Sequence, residues 1–411
     1  MNRRLVLFED RHWRSLRPLT DLLPVPALAF GAGDLARRWM ARAAVPLLAI
    51  EARARQVAAW YHAPVRDTAT VPADAEAIVV NAAALPGPWY AQALDARGPA
   101  LWIAGERVAG ARVPLAMLAP ALGRGEGFEA ALLALGLPAA DVEAGFLSFP
   151  WHFIERNADA IAEDLASTRG ELRGDVHRLA CLEAPERITV DEGAVVSAFA
   201  VLDARPGPVH VARGARIAPH TVVTGPCVIG AGTELLGGFV SGTTFGPECR
   251  VAGEVEASVW QGYGNKRHHG FVGHSVVGEW VNLGALTTTS DLKNNYGNVR
   301  VWVDGRELDS GNPKVGSLVG SHVKTGIGSL LPTGASVGTG ANLFAGGRFA
   351  PKRTAPFAWW DGETTVDHEL GRFLATARIA FGRRGRVFSP ADEAACRDCF
   401  DSTADERRPM R

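Results

Sequence analysis

The segment from Asn265 to Gly297 holds the side chains of this 411-residue chain best suited to chemistry. Asn265-Lys266-Arg267-His268-His269-Gly270 places an amide, two cations and two imidazoles side by side, and Lys293-Asn294-Asn295-Tyr296-Gly297 adds an ammonium, two amides and a phenol. An imidazole with an ordinary pKa near ~6.5 exchanges protons at neutral pH. The lysines are also unevenly used. Of 43 basic residues only Lys266, Lys293, Lys314, Lys324 and Lys352 are lysine, all in the second half of the chain, where a compact flexible ammonium differs from the arginine used elsewhere.

These groups are set in an apolar repeat. Val211, Ile217, Val223, Ile229 and Leu235 recur every six residues, as do Phe245, Val251 and Ala257, then Phe271, Val277 and Leu283, then Val319, Thr325, Leu331, Val337 and Leu343. A six-residue period with one buried aliphatic and nearby glycine is the pattern of a parallel β-helix, one short strand per hexad and three per coil. Periodicity does not give the hand of the coil. The excursion from Thr288 to Pro313 interrupts the repeat, and long loops in a solenoid serve a site or an interface.

Composition limits the rest. With 47% hydrophobic and 21% charged residues and a formal net charge of -1, the chain reads as globular, with no pull toward nucleic acid or an anionic membrane. The opening MNRRLVLFED offers only a four-residue apolar run, so neither a signal peptide nor a membrane span is expected, and a cytoplasmic setting follows. Five cysteines without a framework suit a reducing compartment, and Cys396-x-x-Cys399 reads as a pair of incidental thiols.

Upstream of the repeat, short strands (Leu5 to Phe8, Ile78 to Val80, Leu101 to Ile103) alternate with helices (about 35–40, 89–94, 114–122, 128–135), predicting an α/β domain with a mainly parallel sheet. An amphipathic helix from Trp151 to Leu165 closes it. No glycine lies between Glu9 and Phe30, so the phosphate-cradling loop of a nucleotide site is missing there, and Gly31-Ala32-Gly33 alone is a weak substitute.

The order of short strand, Arg14-x-x-Arg17-Pro-Leu-Thr20, Arg38-Trp39 helix, strand ending in Asn81, Pro150-Trp151 helix and hexapeptide repeat resembles the two-domain sugar nucleotidyltransferase/acetyltransferase proteins. These form a variant branch of the bifunctional enzyme that makes UDP-N-acetylglucosamine. The resemblance covers about residues 3–350 and is densest from Tyr263 to Asn298. It implies a nucleotidyltransferase-like α/β domain over 1–175, a left-handed parallel β-helix acyltransferase domain over 176–350, and a helical cap and tail over 351–411. It further implies acetyl-CoA as cosubstrate, Mg²⁺ if the first domain is active, an amino-sugar phosphate acceptor of the glucosamine 1-phosphate kind, and a homotrimer. On this alignment His268 is the general base, with His269 next to it as a substrate contact, and Asn295 and Tyr296 take the family's Asn-Tyr positions at the acceptor. Lys266, Arg267 and Lys293 would hold the substrate phosphate, Ser321 and Lys324 the coenzyme arm, and Arg14, Arg17 and Asn81 a nucleotide. The first domain departs from the family at Leu23 and Ala29, where arginines are expected, which leaves nucleotidyl transfer as a separate reading. Two further classes compete: a zinc hydratase using His269 and His274 with His220 or His322, and a trimeric regulatory scaffold without turnover.

Overall fold

The computed structural model describes residues 2–64, 75–95 and 97–408. The chain divides into two compact units: one of residues 1–15, 23–28 and 34–148, the other of 16–22, 29–33 and 149–411. The helix Pro150–Asp164, expected to close the first domain, belongs to the second unit.

The first unit is built on a six-stranded sheet. Its strand order is Leu47–Glu51, Arg3–Phe8, Glu76–Asn81, Arg107–Pro114, Ala100–Ala104, Ala139–Asp141. Leu5, Val6, Leu7 and Phe8 are all buried, as a strand covered on both faces requires. Three of the five pairings are parallel and two antiparallel, so the expectation of a mainly parallel sheet holds only in part. The antiparallel pairings come from Arg107–Pro114, a strand that sequence reading passed over because Ala109, Gly110, Ala111 and Arg112 dilute the β-branched signal of Val108 and Val113. The glycine is needed there: a Cβ at Gly110 would stand 2.5 Å from the Val79 carbonyl oxygen.

The second unit is a parallel β-solenoid. One face is a nine-stranded parallel sheet running from Ile188–Val190 through Val259–Trp260, Val276–Val277 and Leu318–Val319 to Arg353–Thr354. The period seen in the sequence is the core period for most positions: Val211, Ile217, Val223, Ile229, Leu235, Phe245, Val251, Val277, Leu283, Val319, Leu331, Val337 and Leu343 form one continuous apolar column. Ala257 and Phe271 are not in it. Pairing shifts register between Leu235 and Gly238, and beyond that irregularity Val240, Val255 and Val272 line the core in consecutive strands. The added residues move the side-chain phase, which a strict count of six does not see.

Corners of the solenoid carry an unusual load. Tyr263, Trp280 and His322 all adopt positive φ (55°, 61° and 62°), a region that costs free energy for side chains of this size. Their rings offset the cost by stacking: Tyr263 on Trp280 at 4.2 Å between centroids and Trp280 on Phe381 at 3.9 Å, with His322 6.3 Å from Trp280. Phe381 belongs to the helix Leu370–Gly382, so the C-terminal segment closes over this aromatic corner. The C-terminal segment is helical almost to Arg408: Pro390–Ser402 is a helix with a Ser389/Asp392 capping box, and Ala404–Arg407 follows. Residues 409–411 lie outside those described. Phe357 is fully buried against Phe373 and Phe400, and Trp360 enters the core of the last coil, so these aromatics cover the end of the solenoid.

Candidate functional site

The 265–297 segment lies on successive coils, and the structure sorts its residues sharply. Lys266 is 1% exposed, with its ammonium donating to the carbonyl oxygens of Ala252 (2.8 Å) and His268 (2.9 Å). Burial pushes it down to about 8. Two of its three donors are spent on backbone and the group is buried, so the expectation that it holds a substrate phosphate gives way to a structural role: it pins the loop that carries His268. That loop also needs Gly270, at φ 131°, where a Cβ would stand 2.2 Å from the Thr287 carbonyl oxygen. Arg267, His268 and His269 are exposed. They are free to meet a ligand.

The next coil brings in a partner that sequence reading did not single out. His274 Nδ1 lies 2.7 Å from Asp291 Oδ2, both side chains about one-seventh exposed. Glu256 completes a cluster whose potential ligating atoms all lie within 4.8 Å of one another, and Lys314 Nζ stands 4.0 Å from Glu256 Oε1. Burial alone would raise the Asp291 carboxyl, yet the hydrogen bond and charge of His274, with Lys314, hold it below the usual carboxylate range. A carboxylate on Nδ1 orients the ring and leaves Nε2 as the proton acceptor, as in other carboxylate–imidazole pairs. The signal was present: Glu256, His274 and Asp291 are 18 and 17 residues apart, one coil each. Among the described residues this is the only such cluster of three, so the four histidines of the zinc hydratase reading are not assembled. His322 in particular is buried in the aromatic corner, where burial and then Lys324 push it down to about 3.

Asn295 and Tyr296 stand on the excursion. The Asn295 side-chain oxygen accepts from the Gly297 amide at 3.1 Å, an Asx turn, and Tyr296 is 73% exposed with φ 56°. Among the described residues no hydrogen bond links them to the histidines. Lys293 runs beside the same turn, its ammonium 3.5 Å from where a Gly297 Cβ would be. Ser321 is buried, and its hydroxyl accepts from the Glu279 amide at 3.2 Å, which makes it a strut between coils and not an open coenzyme contact. Lys324 lines a cavity with Asn265 and Asn282.

The nucleotide-site residues are dispersed. Asn81 is fully buried and spends its amide on Asp10 (2.8 Å) and Val108 (3.0 Å) while its oxygen accepts from Ala83. That makes it part of the strand end, not a ligand contact. Arg17 lies in the second unit, ion-paired with Asp21 (2.6 Å) and Glu406 (2.7 Å), so it too is occupied. Only Arg14 is exposed. The carboxylates at the end of the first strand, where an open α/β sheet receives its ligand, are closed by arginines: Glu9 with Arg53 at 2.8 Å and Asp10 with Arg107 at 2.8 Å. Carboxylates neutralised in this way do not fit a Mg²⁺ site. Cys396 and Cys399 are buried, burial pushing the first up to about 12 and the second well above its usual value, as inert thiols require.

Residues 5–171 match the family model described as sugar nucleotidyl transferase. A bifunctional sugar-1-phosphate nucleotidylyltransferase/acetyltransferase from Sulfurisphaera tokodaii is 37% identical over 93 residues, 23% of this chain and 23% of that protein. The bifunctional protein GlmU from Methanocaldococcus jannaschii is 34% identical over 86 residues, 21% of each. The chain thus spans less than a quarter of the length of the curated relatives it matches. A solved UDP-N-acetylglucosamine acyltransferase from Campylobacter jejuni aligns with 57% of this chain and 92% of its own at 13% identity and a TM-score of 0.22.

Proposed function

We propose that the solenoid unit transfers an acetyl group from acetyl-CoA to the amine of an amino-sugar phosphate of the glucosamine 1-phosphate kind, in nucleotide-sugar biosynthesis. The observation that carries this is the exposure of Arg267, His268 and His269 on a loop locked from beneath by Lys266, one coil from the His274–Asp291 pair. Similarity to relatives named as nucleotidyltransferase/acetyltransferases supports the class of reaction.

In this reading His268 takes a proton from the sugar ammonium, the freed amine attacks the thioester carbonyl, and the tetrahedral oxyanion collapses to the amide as the C–S bond breaks, the nitrogen's second proton passing to the departing coenzyme thiolate. Arg267, His269 and Lys293 face the acceptor and its phosphate, and Asn295 and Tyr296 approach it from the excursion. The flat solenoid faces favour a homotrimer, since closed cyclic assemblies are the common solution. Five free cysteines accord with a reducing, cytoplasmic setting. A second reading of the base is favoured by one distance: His274, held by Asp291 at 2.7 Å, is the histidine of this stretch with a carboxylate to orient it.

The test is release of thiol from acetyl-CoA with glucosamine 1-phosphate, in wild type, His268→Ala and His274→Ala. A loss on the order of a hundredfold confined to His268→Ala supports the first assignment and one confined to His274→Ala the second. No release with any amino-sugar phosphate refutes acetyl transfer. Sugar-1-phosphate nucleotidyl transfer by the first unit is a separate activity, and the closed carboxylates of Glu9 and Asp10 weigh against it.

A further inference from the structure

The corner of the solenoid that carries His274 is also where the excursion leaves and returns. Asp291 stands at its start and Lys314 at its end, joined by the bridge between Leu292 and Lys314 and by the Val315 amide, which donates to the Asp291 carbonyl oxygen at 3.0 Å. Glu256, His274 and Asp291, one from each of three coils, bring two carboxylates and one imidazole to this point.

Elsewhere the chain closes its buried or paired carboxylates with arginine. Asp191 meets His210 at 2.9 Å and is then neutralised by Arg173 at 2.6 Å, and Glu9 and Asp10 have Arg53 and Arg107. At His274 and Asp291 the third group is instead a second carboxylate. Its counter-charge is Lys314, 4.0 Å away, with the lysine and Glu256 side chains 45% and 41% exposed. An ion pair so placed contributes little, and the two carboxylates keep a mutual repulsion that a divalent ion removes.

The spacing suits such an ion. The donor atoms all lie within 4.8 Å of one another, and the closest two, His274 Nδ1 and Asp291 Oδ2, are 2.7 Å apart. Donors sharing one ion at about 2.0–2.2 Å stand about 3–4 Å from each other, so a small rotation of the half-exposed Glu256 side chain completes the set. An imidazole among the ligands favours a transition ion over Ca²⁺ or Mg²⁺. A hydratase centre of three imidazoles is a different set.

We propose that Glu256, His274 and Asp291 hold one divalent transition-metal ion, of the Zn²⁺ kind, which replaces the proton shared by His274 and Asp291 and ties the root of the excursion to the solenoid wall. The site stands apart from the acetyl-transfer reading, because its readouts are ion binding and local protection, not turnover.

Tag-free full-length protein, stripped with a chelator, is titrated with Zn²⁺ by calorimetry and with Co²⁺ by visible absorption. One saturating ion per chain is expected. Affinity should fall about tenfold or more in Glu256→Gln and in Asp291→Asn. It should rise about twofold in Lys314→Met, where the competing ammonium is gone. Hydrogen exchange across residues 288–313 should slow when Zn²⁺ is added to the wild type and stay unchanged in Glu256→Gln, a variant at an exposed side chain that leaves the coils intact. Zinc held by a thiol such as the exposed Cys181 would survive all three substitutions. No stoichiometric binding of either ion, an affinity unchanged in folded Glu256→Gln, or binding lost in Lys314→Met overturns the proposal.

Discussion

His274 and Asp291 meet at 2.7 Å across neighbouring coils, with His274 itself held at φ 44°. The pair joins the solenoid wall to the root of the excursion. Because Asp291 is held below the usual carboxylate range, it adds stability at neutral pH that is lost as the pH falls through its folded pKa. Asp291→Asn should therefore lower thermal stability at pH 7 while shrinking the difference between mutant and wild type in strong acid. Melting curves at both pH values check this; an equal deficit at both would deny the coupling.

Glu279 gives a pH dependence of opposite sign. Burial, only partly relieved by Arg386, pushes its carboxyl from the ordinary 4.5 up to about 7. The folded chain then holds the proton more tightly than the unfolded one, so this group's contribution is complete below about 4.5 and disappears as pH rises through about 7. The loss is on the order of 1–2 kcal/mol after allowance for residual solvent contact. Glu279→Gln should flatten the stability profile between these limits, as denaturant titrations at pH 5 and 8 will show. A profile that keeps its slope in the variant assigns the effect elsewhere.

Lys266 is predicted to act on its loop and not on phosphate. Lys266→Met removes the donors to Ala252 and His268, leaving two carbonyl oxygens unsatisfied at a cost of about 1–3 kcal/mol. Turnover should drop through kcat as His268 loosens, with KM for the sugar phosphate little changed. A rise confined to KM would restore Lys266 as a substrate ligand.

Gly270→Ala should be among the most damaging small substitutions in the solenoid. It puts a methyl group into the Thr287 carbonyl oxygen at a backbone angle that alanine avoids. The expected outcome is insoluble or strongly destabilised protein, whereas Gly382→Ala, with open space around it on an exposed helix end, should be neutral or slightly stabilising.

In the second unit, Arg17→Ala should lower stability through loss of its pairs with Asp21 and Glu406 and leave nucleotide binding unaffected. Equilibrium dialysis with a nucleoside triphosphate and a melting curve separate the two. A folded variant that loses bound nucleotide would reverse this assignment.

The repeat, the helical cap and the chemical character of the 265–297 segment were legible in the residues alone, because a six-residue period and a cluster of imidazoles are local properties of the chain. Tertiary structure decided which of those groups are available. Lys266 and Ser321 look like ligand contacts in the sequence, but solenoid coiling turns both inward, where backbone groups of neighbouring coils consume their hydrogen bonds. Conversely, Asp291 and Glu256 gain their importance only because a coil of 17 or 18 residues returns each beside His274. The phase of Ala257 and Phe271 was misread for a related reason: an irregularity near Leu235 moves the side-chain alternation, and pairing partners, not spacing, set which residue faces the core. Composition and periodicity determine what a segment can become. Contacts between residues far apart in sequence determine which polar groups are spent holding the fold and which remain for a ligand.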